Sequence, residues 1–191
     1  MGHTAIKLKV CGMRDTANIK SLVAVEPDYM GFIFYDQSPR YVGPGFEIPG
    51  DFPSSIQRVG VFVNATEEEI EQRVLEYGLN AVQLHGHETP EMCQRMQSRG
   101  VAVIKAFSVG EGFDFATCRR YESCVSFFLF DTKGKHYGGN ATVFDWKILD
   151  HYPFQIPFFL SGGLTPENIQ SVCSIRSEWL YAVDINSGVE I

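Results

Sequence analysis

Apolar runs recur along this chain at a nearly even interval. They end at Val10, Phe34, Val63, Leu84, Ala106, Phe130, Leu160 and Val183, about 25 residues apart, which is the length of one strand–helix unit. The runs are near-continuous rather than alternating, as expected of strands buried on both faces. Helical patterns lie between them. Residues 15–25 open on Asp15 and carry Ile19, Leu22 and Val23 at helical spacing. Thr66 with Glu69 forms a capping box, Ile70, Val74 and Leu75 follow, and Gly78 ends that helix. Thr89-Pro90-Glu91 opens another helix, closed at Gly100, and Thr165-Pro166-Glu167-Asn168 repeats the same start. Shorter helices are expected over residues 113–121 and 144–149. Residues 43–53 hold too many Pro and Gly for a helix, so the second unit should lack a regular one. Only eight residues follow the eighth run, up to Ile191, so no eighth helix is expected within this sequence, whether the fold tolerates the gap or the sequence is a piece of a longer chain.

Eight such units with right-handed crossovers close most simply into a (β/α)8 TIM barrel, one domain over residues 1–191. A doubly wound open sheet is the alternative. It would normally carry a G-x-G-x-x-G turn after the first strand, and Cys11-Gly12-Met13-Arg14 has a single Gly.

Composition narrows the function. The chain has 191 residues, 45% of them apolar, and a net charge of −7 with no long basic run, which speaks against a nucleic-acid partner. No apolar run reaches membrane-spanning length, and Met1-Gly2-His3-Thr4 does not begin a signal peptide. The five cysteines, 11, 93, 118, 124 and 173, are odd in number and show no C-x-x-C spacing. That fits a reducing cytoplasm without structural disulfides. All except Cys11 sit in helical or apolar contexts and read as small buried hydrophobes.

The chemistry stands where the runs stop. A polar side chain at the carboxyl end of a parallel strand is where such barrels build their sites. The presumed top face reads Cys11, Tyr35, Asn64, His85, Phe107, Asp131, Ser161 and Asp184. A thiol and a carboxylate on different walls make a base and acid pair. Lys7, Lys9 and Cys11 share a strand face, so an inward Cys11 implies an inward Lys9 one layer below. There Lys9 either lowers the thiol's pKa or pairs with an interior carboxylate such as Asp184, and both can hold. Ser161-Gly162-Gly163-Leu164 and Asn186-Ser187-Gly188-Val189 follow strands seven and eight, where barrel enzymes often hold phosphate on backbone N–H groups. Arg40, in Ser38-Pro39-Arg40-Tyr41, offers a fork suited to a carboxylate. His85 and His87 alternate on a strand end, face different ways and make a poor metal pair.

Taken together, Lys9-Val10-Cys11-Gly12-Met13, Ser38-Pro39-Arg40-Tyr41-Val42, Val59-Gly60-Val61-Phe62-Val63-Asn64, Val82-Gln83-Leu84-His85-Gly86, Phe130-Asp131-Thr132-Lys133, Phe144-Asp145-Trp146 and the two late Gly turns resemble the phosphoribosylanthranilate isomerase family of the tryptophan pathway. The resemblance covers nearly the whole chain. It implies a single (β/α)8 barrel that needs no cofactor or metal, a phosphosugar substrate, and a monomer or homodimer. The implied activity is the Amadori rearrangement of N-(5-phosphoribosyl)anthranilate. It assigns Cys11 as general base, Asp131 as general acid and Arg40 as the anthranilate carboxylate contact. His85, Gly162, Gly163, Asp184, Asn186, Ser187 and Gly188 become further substrate-binding positions.

One loop departs from that family: after strand six it usually reads Gly-Gly-Thr-Gly, and here it is Gly138-Gly139-Asn140-Ala141. Two other readings compete. A pentose-phosphate epimerase of the same fold would use paired carboxylates and often His-bound metal, and no His stands at the end of strand two. A non-catalytic sugar-phosphate binder would keep the Gly turns and Arg40 but need neither Cys11 nor Asp131.

Overall fold

The computed structural model describes residues 5–132 and 145–186. Eight parallel strands close in chain order: β1 (Lys7–Cys11), β2 (Tyr29–Ile33), β3 (Gln57–Phe62), β4 (Ala81–Leu84), β5 (Ala102–Val109), β6 (Phe127–Thr132), β7 (Phe158–Ser161) and β8 (Leu180–Ile185). The closing pair is β1–β8, in which Lys9 lies opposite Asp184. The barrel expected from the interval of apolar runs is therefore the fold. The strand β5 runs past its expected end at Ala106 to Val109, because its register with β6 continues through Ser108–Asp131 and Val109–Thr132.

Among the described residues, three α-helices form where capping chemistry and length agree. Helix α1 (Thr16–Val23) starts on Asp15, whose carboxylate accepts from Asn18 N. Helix α2 (Glu67–Tyr77) has both halves of the Thr66–Glu69 capping box and ends on Gly78 in the left-handed region. Helix α3 (Pro90–Ser98) is capped by Thr89. The other helices are single stretches of 3₁₀ helix: Phe115–Tyr121, Trp146–His151 and Ile169–Ser174. The helix signal at Thr165-Pro166 thus yields no α-helix. Asn168 spends its side chain on the turn, accepting from Thr165 N and donating to Gly163 O, and 3₁₀ backbone starts only beyond it.

Residues 43–53 hold no helix, as expected. In its place Phe46 and Phe52 pack on Phe32 of β2. Two apolar layers result: one between strands and helices, and a smaller one inside the barrel made by Tyr29, Val59, Ala81, Ile104, Ala106, Leu129, Phe159 and Ala182. The inner layer is closed at the amino end by aromatic rings. Tyr29, Phe127, Phe159 and Tyr181 pack edge to face or tilted, and the Tyr29 and Tyr181 hydroxyls lie 2.8 Å apart. Above it stand the polar residues of the site.

Candidate active site

Cys11 ends β1 pointing inward, and Asp131 near the end of β6 does the same, with β7 and β8 between them around the wall. Both line one pocket at the carboxyl end of the barrel, together with Arg40, His85, Gly162 and Asp184. Gly163 and Asn186 border the same pocket. Every described position expected in the site is therefore at its mouth or in its wall. Ser187, Gly188 and the loop 138–141 lie outside the described residues.

Cys11 is 5% exposed and is framed by Ile33 and Val61. Lys9, one layer below, has no solvent exposure, and its ammonium is 2.7 Å from Asp184 Oδ2. Burial works against that ammonium, yet the Asp184 carboxylate and Cys11 outweigh it and hold Lys9 above its ordinary pKa. Lys9 and Asp184 are thus a buried ion pair beneath the thiol, and Asp184 faces Lys9 as well as the pocket. The expected lowering of the thiol is not realised. Burial pushes Cys11 up to about 11; Lys9 and the Gly12 N–H pull it down, Asp184 pushes it further up, and burial wins. Two residues of separation bring Lys9 close enough to act, but the same inward placement removes the water that would solvate a thiolate.

Asp131 is 3% exposed. Its Oδ2 lies 3.4 Å from His85 Nε2. Its Oδ1 faces the turn after β7, where a Cβ on Gly162 would stand 2.6 Å away. Gly162 and Gly163 both have positive φ, 87° and 68°, so the turn presents backbone to the pocket. Thr132 ties β6 to this turn by donating to Gly162 O. Arg40 is brought over the rim by Gly12, since a Cβ there would lie 2.7 Å from Arg40 Cδ. His85 faces in while His87 is exposed, its N–H given to Asn64 Oδ1. Among the other top-face candidates, Phe107 turns outward onto Tyr121. Cys93, Cys118 and Cys124 are buried as expected, but Cys173 is exposed, because the 3₁₀ turn that carries it buries Val172 instead.

Sequence reasoning missed one group. Lys105, 2% exposed, points out of the barrel wall into a buried ion pair with Glu88 at 3.1 Å. Its signal was a lysine inside an otherwise apolar run. Among the described residues, no group of three or more His, Cys, Asp or Glu is placed to hold a metal ion.

A thiol and a carboxyl group stand on two walls of one pocket at the carboxyl end of a closed (β/α)8 barrel, the end at which barrel enzymes build their active sites. A family model described as N-(5'phosphoribosyl)anthranilate (PRA) isomerase matches residues 8–191, and the chain belongs to that family. A relative named N-(5'-phosphoribosyl)anthranilate isomerase from Parabacteroides distasonis is 44% identical over 187 residues, spanning 96% of this chain and 85% of that one. The crystal structure of phosphoribosyl anthranilate isomerase from Thermotoga maritima superposes with a TM-score of 0.83 at 38% identity, over 97% of this chain and 89% of that one. Another such isomerase was solved in complex with reduced 1-(o-carboxyphenylamino)-1-deoxyribulose 5-phosphate; it shares 36% identity at a TM-score of 0.80, over 97% of this chain and 89% of that one.

Proposed function

We infer that this chain catalyses the Amadori rearrangement of N-(5-phosphoribosyl)anthranilate to 1-(2-carboxyphenylamino)-1-deoxyribulose 5-phosphate in tryptophan biosynthesis. The observation that carries the reading is the convergence of Cys11 and Asp131 on one pocket whose rim holds Arg40 and the Gly162-Gly163 turn. Asp131 gives a proton to the furanose ring oxygen, the bond from that oxygen to the anomeric carbon opens, and the anilino nitrogen becomes an iminium. Cys11 takes the proton from the adjacent sugar carbon in its thiolate form, which its raised pKa keeps a minor fraction at neutral pH, and the electron pair neutralises the iminium to an enolamine. Ketonisation of the enolamine, with a proton gained at the former anomeric carbon and lost from the enol oxygen, gives the product. Arg40 takes the anthranilate carboxylate in its fork. Gly162, Gly163, Asn186, Ser187 and Gly188 take the phosphate, mainly on backbone N–H groups. Asp184 acts from below, holding Lys9 charged under the thiol.

Five free cysteines fit a cytoplasmic enzyme, and among the described residues no helix is long and apolar enough to cross a membrane. The test is the loss of substrate fluorescence when protein is added to freshly made phosphoribosylanthranilate. Cys11→Ala and Asp131→Asn should each lower kcat by at least about 10²-fold while substrate still binds. Near-full activity of Cys11→Ala would overturn the assignment.

A further inference from the structure

We propose that His85 is the positioning residue of the acid: a neutral imidazole, its proton fixed on Nε2 by Gln83, that meets the carboxylate Asp131 becomes when it gives up its proton. The proposal rests on the reading of Asp131 as general acid.

Gln83 and His85 share the inward face of β4 and its continuation. Gln83 Nε2 lies 2.9 Å from His85 Nδ1. An amide N–H directed at Nδ1 requires that nitrogen to accept, so the ring hydrogen of the neutral imidazole sits on Nε2. Nε2 in turn faces Asp131 Oδ2 at 3.4 Å, a length of the kind that shortens when a substrate seats. The two oxygens of Asp131 are thereby divided. Oδ2 belongs to His85, and Oδ1 faces the Gly162 turn.

The backbone on either side of the ring is clamped as well. The buried ammonium of Lys105 donates to Leu84 O and Gly86 O, both at 2.9 Å, the carbonyls that flank His85. Glu88, paired to that ammonium, accepts from Gly86 N and from Asn64 N. A histidine kept only for packing requires neither a dedicated amide partner nor a buried ion pair around its peptide.

The proton balance is simple. The Oδ1–H bond of Asp131 breaks as the O–H bond to the ring oxygen forms and the sugar C–O bond opens. The negative charge left on the carboxylate spreads to Oδ2, where the Nε2–H donates to it. His85 keeps its own proton throughout. Its hydrogen bond is stronger to the carboxylate than to the carboxylic acid, so it favours the transition state over the ground state. The sequence shows only Gln83 and His85 two residues apart; the tautomer follows from which atoms face each other.

The first test is nitrogen NMR of the wild-type protein labelled at histidine. His85 should show a protonated Nε2 and an unprotonated Nδ1, and a ring protonated on Nδ1 alone would overturn the proposal. This measurement needs no variant and no turnover, so it stands apart from the assignment of activity. The second is kinetic. Gln83→Leu and His85→Leu should lower kcat by about 10- to 100-fold, the scale seen when a group orienting a reacting residue is lost, with KM changed less than about threefold. His85→Gln, which returns an N–H near the Nε2 position, should recover part of kcat. A rise in KM with kcat unchanged in the leucine variants would make His85 a substrate contact instead and overturn the proposal. Wild-type protein inactive toward phosphoribosylanthranilate would count against the proposed function, and the tautomer would still be read.

Discussion

Cys11 and Gly31 lie opposite each other in the β1–β2 register, and a Cβ on Gly31 would stand 2.6 Å from the Cys11 Sγ. The absence of a side chain on β2 is what lets the thiol lie against the barrel wall. Gly31→Ala should therefore push the thiol out of line. We expect kcat to fall by about 10²-fold and stability by about 1–3 kcal/mol from overpacking, read by turnover and by urea unfolding. Full activity in this variant would show that the thiol's place against β2 is irrelevant to the chemistry.

Alkylation tests the thiol's state. Exposed Cys173 would react first, so the experiment uses Cys173→Ser. A thiol held near 11 is protonated at neutral pH, and its thiolate fraction grows tenfold per pH unit below that value. The iodoacetamide rate at Cys11 should rise by that slope from neutral pH to beyond pH 9, and bound product should slow it. A plateau near neutral pH would mean that Lys9 prevails over burial after all.

Arg40→Lys separates charge from shape. The ammonium keeps the charge and loses the fork. The expected outcome is a higher KM and a loss of about 1–3 kcal/mol in kcat/KM, measured with phosphoribosylanthranilate. Unchanged kinetics would return Arg40 to the status of a rim residue.

The buried Lys9–Asp184 pair predicts a non-additive stability pattern. Asp184→Leu leaves a buried ammonium without its counter-charge and should cost about 3–5 kcal/mol, as should Lys9→Met. The double variant Lys9→Met with Asp184→Leu should be more stable than either single one, since apolar side chains can fill the space of an ion pair. Simple addition of the two losses in urea unfolding would contradict this.

The barrel was legible because eight strands buried on both faces repeat at one interval, and because Thr66, Thr89 and Gly78 announce helix ends by local chemistry alone. The late helices were less so. Thr165-Pro166 carries the same local signal as Thr89-Pro90, but Asn168 turns its amide onto the loop's own backbone. Cys11 and Asp131 stood out as polar residues stopping apolar strands. What could not be read was the sign of the effect on Cys11, since sequence parity places Lys9 beneath it without stating how little water accompanies the pair. Nor could parity reveal that Lys105 would meet Glu88 outside the wall, seventeen positions away along the chain.

Tyr29, Phe127, Phe159 and Tyr181 fill the amino end of the barrel interior with aromatic rings. The pocket that holds Cys11 and Asp131 lies at the opposite, carboxyl end, so hydrogen exchanged with solvent through its mouth shares the route by which substrate arrives and product leaves.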